Sequence, residues 1–167
     1  MKKLLLLLLC LPLLFSCGES ESQGFTAPVY YNLGVSYQQD GELKYAIESY
    51  TSAIELDNKY TYAYMNRGNI FLEIGNYKDA IKDFSRAISL APNDALIYYN
   101  RGVVYDKLND YSNAIDDYTR SITLDNYFTS AFTNRGVAKF NSNLPACSDF
   151  KRACNLGSCD YYNKNCK

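Results

Sequence analysis

Apolar side chains return every three or four residues through most of this chain, as at Ala80, Ile81, Phe84, Ala87 and Ile88. That is the period with which an α-helix shows one face to a core. No stretch of useful length alternates at the period of a strand. The helical stretches are short and come in pairs. Turn-forming dipeptides split each pair at Asp40-Gly41, Gly75-Asn76 and Asn109-Asp110. Other turn residues separate one pair from the next at Asp57-Asn58, Pro92-Asn93-Asp94 and Asp125-Asn126. Asp, Asn, Gly and Pro do this because they cap helices, accept backbone N–H groups or fix φ. The pairs are copies of one another. Asn32-Leu33-Gly34, Asn66-Arg67-Gly68, Asn100-Arg101-Gly102 and Asn134-Arg135-Gly136 stand 34 residues apart without drift. A fixed period of that length predicts a stacked helical array and an all-α fold.

The repeats run from residues 27–60, 61–94 and 95–128, with an altered fourth at 129–157. Tyr64, Gly68, Phe71, Ala80, Phe84, Ala87 and Pro92 of the second resemble the tetratricopeptide repeat, a helix–turn–helix unit of 34 residues. The third carries Tyr98, Gly102, Tyr105, Ala114 and Tyr118, with Ser121 in place of the second alanine; the first carries Tyr30, Leu33, Gly34, Tyr37, Ala46, Tyr50 and Ala53. Small residues let two helices approach while aromatic rings fill the space beside them. In the fourth repeat Phe132 and Gly136 keep register. The segment Ala146 to Ala153 then echoes Ala80 to Ala87 two residues early, so two residues are missing around 141–145. The resemblance implies a right-handed α-solenoid of about four repeats. Residues 158–167 form its capping segment, as terminal repeats must close the stack against water.

In such a superhelix the first helix of each repeat lines the concave face. The residues implied there are Tyr31, Asn32 and Val35; Met65, Asn66 and Asn69; Tyr99, Asn100 and Val103; and Thr133, Asn134 and Val137. The four aligned asparagines resemble a ladder that grips an extended peptide, because an amide offers both donor and acceptor to any backbone. Tyr31, Met65 and Tyr99 would add apolar or stacking contact. The same asparagines could instead brace neighbouring helices, and Arg67, Arg101 and Arg135 are expected to pack between helices. A clamp for a C-terminal carboxylate would need several cations on this face, where Lys107 stands among few. Most of the 17 tyrosines fall at core positions, which explains them without a carbohydrate platform.

Four of the six cysteines lie near the C-terminus. If the last helix of repeat four folds back near Gly157, Cys147 comes opposite Cys166 and Cys154 opposite Cys159, as two nested disulfides require. Cys147 and Cys154 are two turns apart on one helix, about 10 Å, beyond disulfide reach. A four-cysteine zinc site is the rival, but the intervals lack the close Cys-x-x-Cys pairs that such sites favour.

The N-terminus has a different character. Met1-Lys2-Lys3 precedes an apolar run from Leu4 to Phe15, the layout of a secretory signal spanning residues 1–16. Leu14-Phe15-Ser16-Cys17 resembles a bacterial lipobox, with Phe15 bulkier than the usual residue. An ordinary signal cut nearby and an uncleaved anchor are the alternatives. Residues 17–26 then read as a lipidated cysteine and a short acidic tether. Gly18 after the cysteine favours the outer membrane.

The composition narrows the chemistry. There is no histidine, so the commonest general base and metal ligand are missing. Lys2 and Lys3 would leave with the signal, giving 15 basic against 18 acidic side chains and no general attraction to nucleic acid. The expected function is protein–protein adaptor or scaffold in a bacterial envelope. No catalytic residues, cofactor, metal or small-molecule substrate are expected, and the partner is a protein or peptide. A self-associating structural lipoprotein is the main alternative, and a peptidoglycan-associated protein a weaker one. Replacing Cys17→Ser should leave the protein unprocessed or soluble, since acyl chains contribute about 0.8 kcal/mol per buried methylene. Fractionation with membrane at the parental level, with normal processing, would contradict the lipobox.

Overall fold

A computed structural model of the protein describes residues 25–166. Nine helices occur among them: α1 (Ala27–Gln39), α2 (Leu43–Leu56), α3 (Thr61–Glu73), α4 (Tyr77–Leu90), α5 (Ala95–Lys107), α6 (Tyr111–Leu124), α7 (Thr129–Asn141), α8 (Cys147–Asn155) and α9 (Asp160–Asn165). They pack as consecutive hairpins, each repeat having a helix A (α1, α3, α5, α7) and a helix B (α2, α4, α6, α8). Helix B of each of the first three repeats also meets the next helix A. Helices A of neighbouring repeats touch, α3 with α5 and α5 with α7, so the A helices form the inner wall. No helix among the described residues is long and apolar enough to cross a membrane.

The turns inside the hairpins share one geometry. Gly41, Gly75, Asn109 and Asn143 have φ of 78°, 78°, 57° and 57°. The N–H of the next residue in each case bonds back to the carbonyl of Tyr37, Phe71, Tyr105 or Lys139. This is the left-handed cap that ends a helix by satisfying its last carbonyls, and it asks for Gly or Asn. Gly157, with φ of 105°, and Ser158 repeat it at the end of α8. Between repeats, the Asp57 and Asp125 carboxylates accept the N–H groups of Lys59 and Tyr127, closing side-chain turns.

Within each hairpin a helix-B ring lies against the helix-A glycine. A Cβ placed on Gly34, Gly68, Gly102 or Gly136 would stand 2.7, 3.0, 2.8 or 2.5 Å from Tyr50, Phe84, Tyr118 or Phe150. Tyr50, Phe84, Tyr118 and Phe150 are buried, as are Ala46, Ala53, Ala80, Ala87 and Ala114. Ser121, the departure from the second alanine, is fully buried with no hydrogen-bond partner for its hydroxyl.

The fourth repeat shows where its two residues are lost. Asn143 keeps the 34-residue register of the turn, so the deletion falls on helix B. Ala146, the counterpart of Ala80 three residues inside α4, stands at the N-cap of α8. That leaves α8 with 9 residues against 14 in α4. Disulfides Cys147–Cys166 and Cys154–Cys159 tie this shortened helix to α9, and Phe150 stacks on Tyr161. Two such bonds point to an oxidising, exported compartment. At the other end no equivalent tie occurs among the described residues. Val29 is exposed, whereas its counterparts Ala63, Ile97 and Ala131 are fully buried by the preceding repeat.

Replacing all four of these cysteines with serine should destabilise α8 and α9 and leave repeats one and two nearly unchanged. A solenoid passes stability mainly between neighbours, and each bridge typically contributes about 2–4 kcal/mol. Hydrogen exchange resolved by segment measures this; uniform loss of protection over all repeats would contradict it.

Candidate functional site: the inner wall of the array

Asparagines occupy equivalent positions along the inner wall, and three are tied to the repeat before them. The Asn66 amide nitrogen donates to the hydroxyls of Tyr31 and Tyr50, both at 3.2 Å. The Asn100 nitrogen donates to Asn69 Oδ1 at 3.1 Å, and that of Asn134 to Tyr99 Oη at 3.1 Å. Asn32 lies in the first of the four repeats and is exposed. The donors of Asn66, Asn100 and Asn134 thus brace helices. Their amide oxygens accept no hydrogen bond among the described residues. Bracing and binding therefore draw on opposite ends of the same amide.

The polar groups alternate with a period of two repeats. Repeats one and three carry the tyrosine pairs Tyr31–Tyr50 and Tyr99–Tyr118, with ring centroids 5.7 Å apart in each. Tyr60 and Phe128 extend these clusters. Repeats two and four place Met65 with Phe84 and Thr133 with Phe150 instead. The acceptors alternate in step. Tyr50 donates to Gln38 at 2.8 Å and Tyr118 to Asp106 Oδ2 at 2.7 Å. The equivalent residues beside the phenylalanines are Leu72 and Phe140. A buried phenol needs an acceptor and a phenyl ring does not, which explains the co-ordination. Met65 is buried in the core, so it offers a partner little surface, unlike half-buried Tyr31 and Tyr99.

Behind the asparagines a second ladder holds the stack. Arg67, Arg101 and Arg135 form forked hydrogen bonds with Asp83, Asp117 and Asp149 of helix B in their own repeat. Each also donates to a hydroxyl on helix B of the preceding repeat, from Thr51, Ser85 or Thr119. Lys139 adds a 2.8 Å contact to Asp149. Each of these paired arginines thus has all three guanidinium nitrogens engaged. The Asp83, Asp117 and Asp149 partners, nearly buried, were not singled out from sequence, although their fixed 34-residue spacing along the B helices (32 into the shortened repeat) was visible there.

One inner-wall group is less well satisfied. Asp106 accepts from Tyr118 through Oδ2, but Oδ1 is buried without a partner. Burial raises its carboxyl pKa, against lowering by the Tyr118 hydrogen bond and by Lys107. The Tyr118 phenol is in turn held well above its ordinary range, first by burial and then by Asp106. Among the described residues no group of three or more His, Cys, Asp or Glu side chains could hold a metal.

A carboxyl whose pKa is higher in the folded than in the unfolded chain favours folding in its protonated form. Its destabilising effect is absent below the ordinary aspartate range, grows as pH rises through the raised value, and is constant above it. Asp106→Asn removes the charge and keeps an oxygen for Tyr118. It should therefore raise the melting temperature at pH 7 relative to the parent more than at pH 3. Melts of both proteins at the two pH values test this; equal differences at both would contradict it.

Comparison with known proteins agrees with this architecture. The tetratricopeptide repeat family model matches residues 27–60 and 95–128, and a TPR repeat model matches 68–109. No curated protein sequence matches the chain. Among solved structures, the crystal structure of MamA is similar at 30% identity and TM-score 0.76, covering 78% of this chain and 77% of that one. YrrB, described as a TPR protein with an unusual peptide-binding site, is similar at 26% identity and TM-score 0.72, covering 78% and 69%. The first TPR of Spaghetti (RPAP3), bound to HSP90 peptide SRMEEVD, shares the fold at 22% identity and TM-score 0.68, covering 70% and 93%. The repeat period, the ring-on-glycine packing and these matches together place the chain in the tetratricopeptide repeat family.

Proposed function

We propose that this chain is an adaptor, anchored to a bacterial envelope membrane through Cys17, that holds an extended peptide segment of a protein partner on its inner wall. The observation that carries the reading is the row of Asn66, Asn100 and Asn134. Their nitrogens are fixed by the preceding repeat while their oxygens remain available as acceptors. Bracing sets the amides in place before a ligand arrives, so little side-chain entropy is lost on binding. Backbone N–H groups of a bound peptide are the natural donors to them, independent of side chain. Tyr31 and Tyr99 flank the row and can pack on peptide side chains. The peptide-binding site named for YrrB supports the class of partner. The lipobox-like Leu14-Phe15-Ser16-Cys17 and the two disulfides support the location; Cys17 itself lies outside the described residues. The missing histidine and the engaged Arg–Asp pairs favour holding over catalysis.

Self-association is the second reading, and one observation favours it. Phe25, Val29 and Leu33 are exposed along one stripe at the N-terminal end of the described array, leading into and along α1. Light scattering on the purified chain separates the two.

Asn66→Ala combined with Asn100→Ala should do two things at once. Losing the interhelical bonds should lower the melting temperature, at about 0.5–1.5 kcal/mol for each. Losing the two acceptors should weaken partner binding roughly five- to a hundredfold. Melts and binding isotherms on a partner captured from crosslinked envelopes check both. Affinity unchanged at temperatures where the variant is folded would overturn the ligand ladder, and recovery of no partner would overturn the adaptor.

A further inference from the structure

We propose that the cleft between α5 and α7, beside α9, receives a lysine or arginine side chain of the partner, with Asp106 as its anchor. The inference rests on the adaptor reading and adds to it the chemistry of the bound side chain.

The cleft has a volume of about 370 Å³ and is lined by Val103, Asp106, Tyr118, Asn134, Val137 and Tyr161, among others. Two acceptors at its floor are without hydrogen-bond partners among the described residues. The Tyr118 hydrogen is committed to Asp106 Oδ2 at 2.7 Å, and the Asn134 nitrogen donates to Tyr99 at 3.1 Å. Asp106 Oδ1 is buried and has no partner, and Asn134 Oδ1 accepts nothing among the described residues. A carboxylate offers about four lone-pair sites, so a ligand that fits must bring donors. It should also bring positive charge, because a carboxylate with one oxygen buried and unpaired is stabilised by a neighbouring cation. Ammonium and guanidinium groups meet both needs. Their alkyl stems match the remaining lining, which holds Val103, Val137 and the Tyr161 ring, over whose π face a cation can lie.

Lys107 is the one cation lining the cleft. It is exposed and forms no ion pair with Asp106 among the described residues, so solvent screens its repulsion of an incoming cation. The other titratable groups lining the cleft are the phenols of Tyr111, Tyr118 and Tyr161. Position 106 also makes this cleft unlike any other on the wall. Its equivalents are Gln38, Leu72 and Phe140, so a carboxylate occurs in one repeat of four. The asparagines repeat and can accept a peptide in any register; a single carboxylate would fix that register.

The test uses the full chain, ¹⁵N-labelled in detergent micelles, titrated with capped tripeptides Gly-X-Gly in which X is Lys, Gln or Glu. The Lys peptide should give saturable shifts at amides of residues 103–111 and 134–141. It should bind about tenfold or more tighter than the Gln peptide, with Glu weakest. Asp106→Asn should bring Lys and Gln to equal affinity while the protein melts no lower than the parent. Asp106→Gln, which copies the residue at position 38, should do the same and guards against a folding defect in the first variant. Equal binding of Lys and Gln by the parent, a preference for Glu, shifts outside the cleft, or no shift with any peptide would overturn the proposal. Crosslinked capture with parent and Asp106→Asn separates it from the adaptor reading. A partner retained equally by both overturns the cleft alone, and a partner recovered by neither overturns the adaptor while the tripeptides still decide the cleft.

Discussion

In each of the four repeats a helix-B ring rests on a helix-A glycine, at a distance that leaves no room for a Cβ on Gly34, Gly102 or Gly136 and only a tight fit on Gly68. The other features of the array depend on that contact. It sets how close the two helices of a hairpin come, and so fixes which residues of helix A are left to face the next repeat and the inner wall. The contact tolerates either Tyr or Phe, since both rings fill the same space. The difference between them is polar. A tyrosine brings a hydroxyl into a buried site and requires an acceptor at the end of helix A, supplied by Gln38 and Asp106. A phenylalanine requires none, and Leu72 and Phe140 stand there instead. One packing decision therefore propagates into a hydrogen-bond pattern with twice the period of the repeat.

Two ladders run along the helix-A row, one residue apart. The arginine ladder is closed: each guanidinium is divided between an aspartate in its own repeat and a hydroxyl in the repeat before. Removing one partner would leave a nearly buried charge unpaired, so the ladder works as a lock on the stack rather than as a surface for ligands. The asparagine ladder is half open, with nitrogens engaged and oxygens available. Structural bracing and peptide recognition need not compete when a single side chain carries one donor group and one acceptor.

The two ends of the array are finished differently. At the C-terminus helix B is shortened by its first turn, and two disulfides compensate by fastening α8 to α9. A nine-residue helix with one short neighbour buries too little apolar surface to hold itself firmly, and cross-linking limits its unfolded alternatives. At the N-terminus no equivalent closure occurs among the described residues. Val29 occupies the place of residues that are fully buried in every later repeat. Ser36 stands where Ile70, Val104 and Ala138 are buried, a polar exchange of the kind an end repeat needs.

Much of this was legible in the chain itself because the repeat is local. Hairpin turns, helix lengths and the core glycines and rings are set by residues within 34 positions of each other, and periodicity exposes them directly. The nested cysteines were legible for the same reason, since a hairpin pairs residues by their distance from its turn. The sequence placed Asn32, Asn66, Asn100 and Asn134 on one wall but left open whether they braced or bound, because that depends on which hydroxyls lie within reach in the repeat before. Only the stacked structure decided that the nitrogens of Asn66, Asn100 and Asn134 are engaged, that Met65 is buried, and that Asp106 lines a cleft with one oxygen buried and unpaired. These are contacts between side chains on different helices, in the asparagine row between different repeats, and they depend on ångström-scale approach that no spacing along the chain specifies.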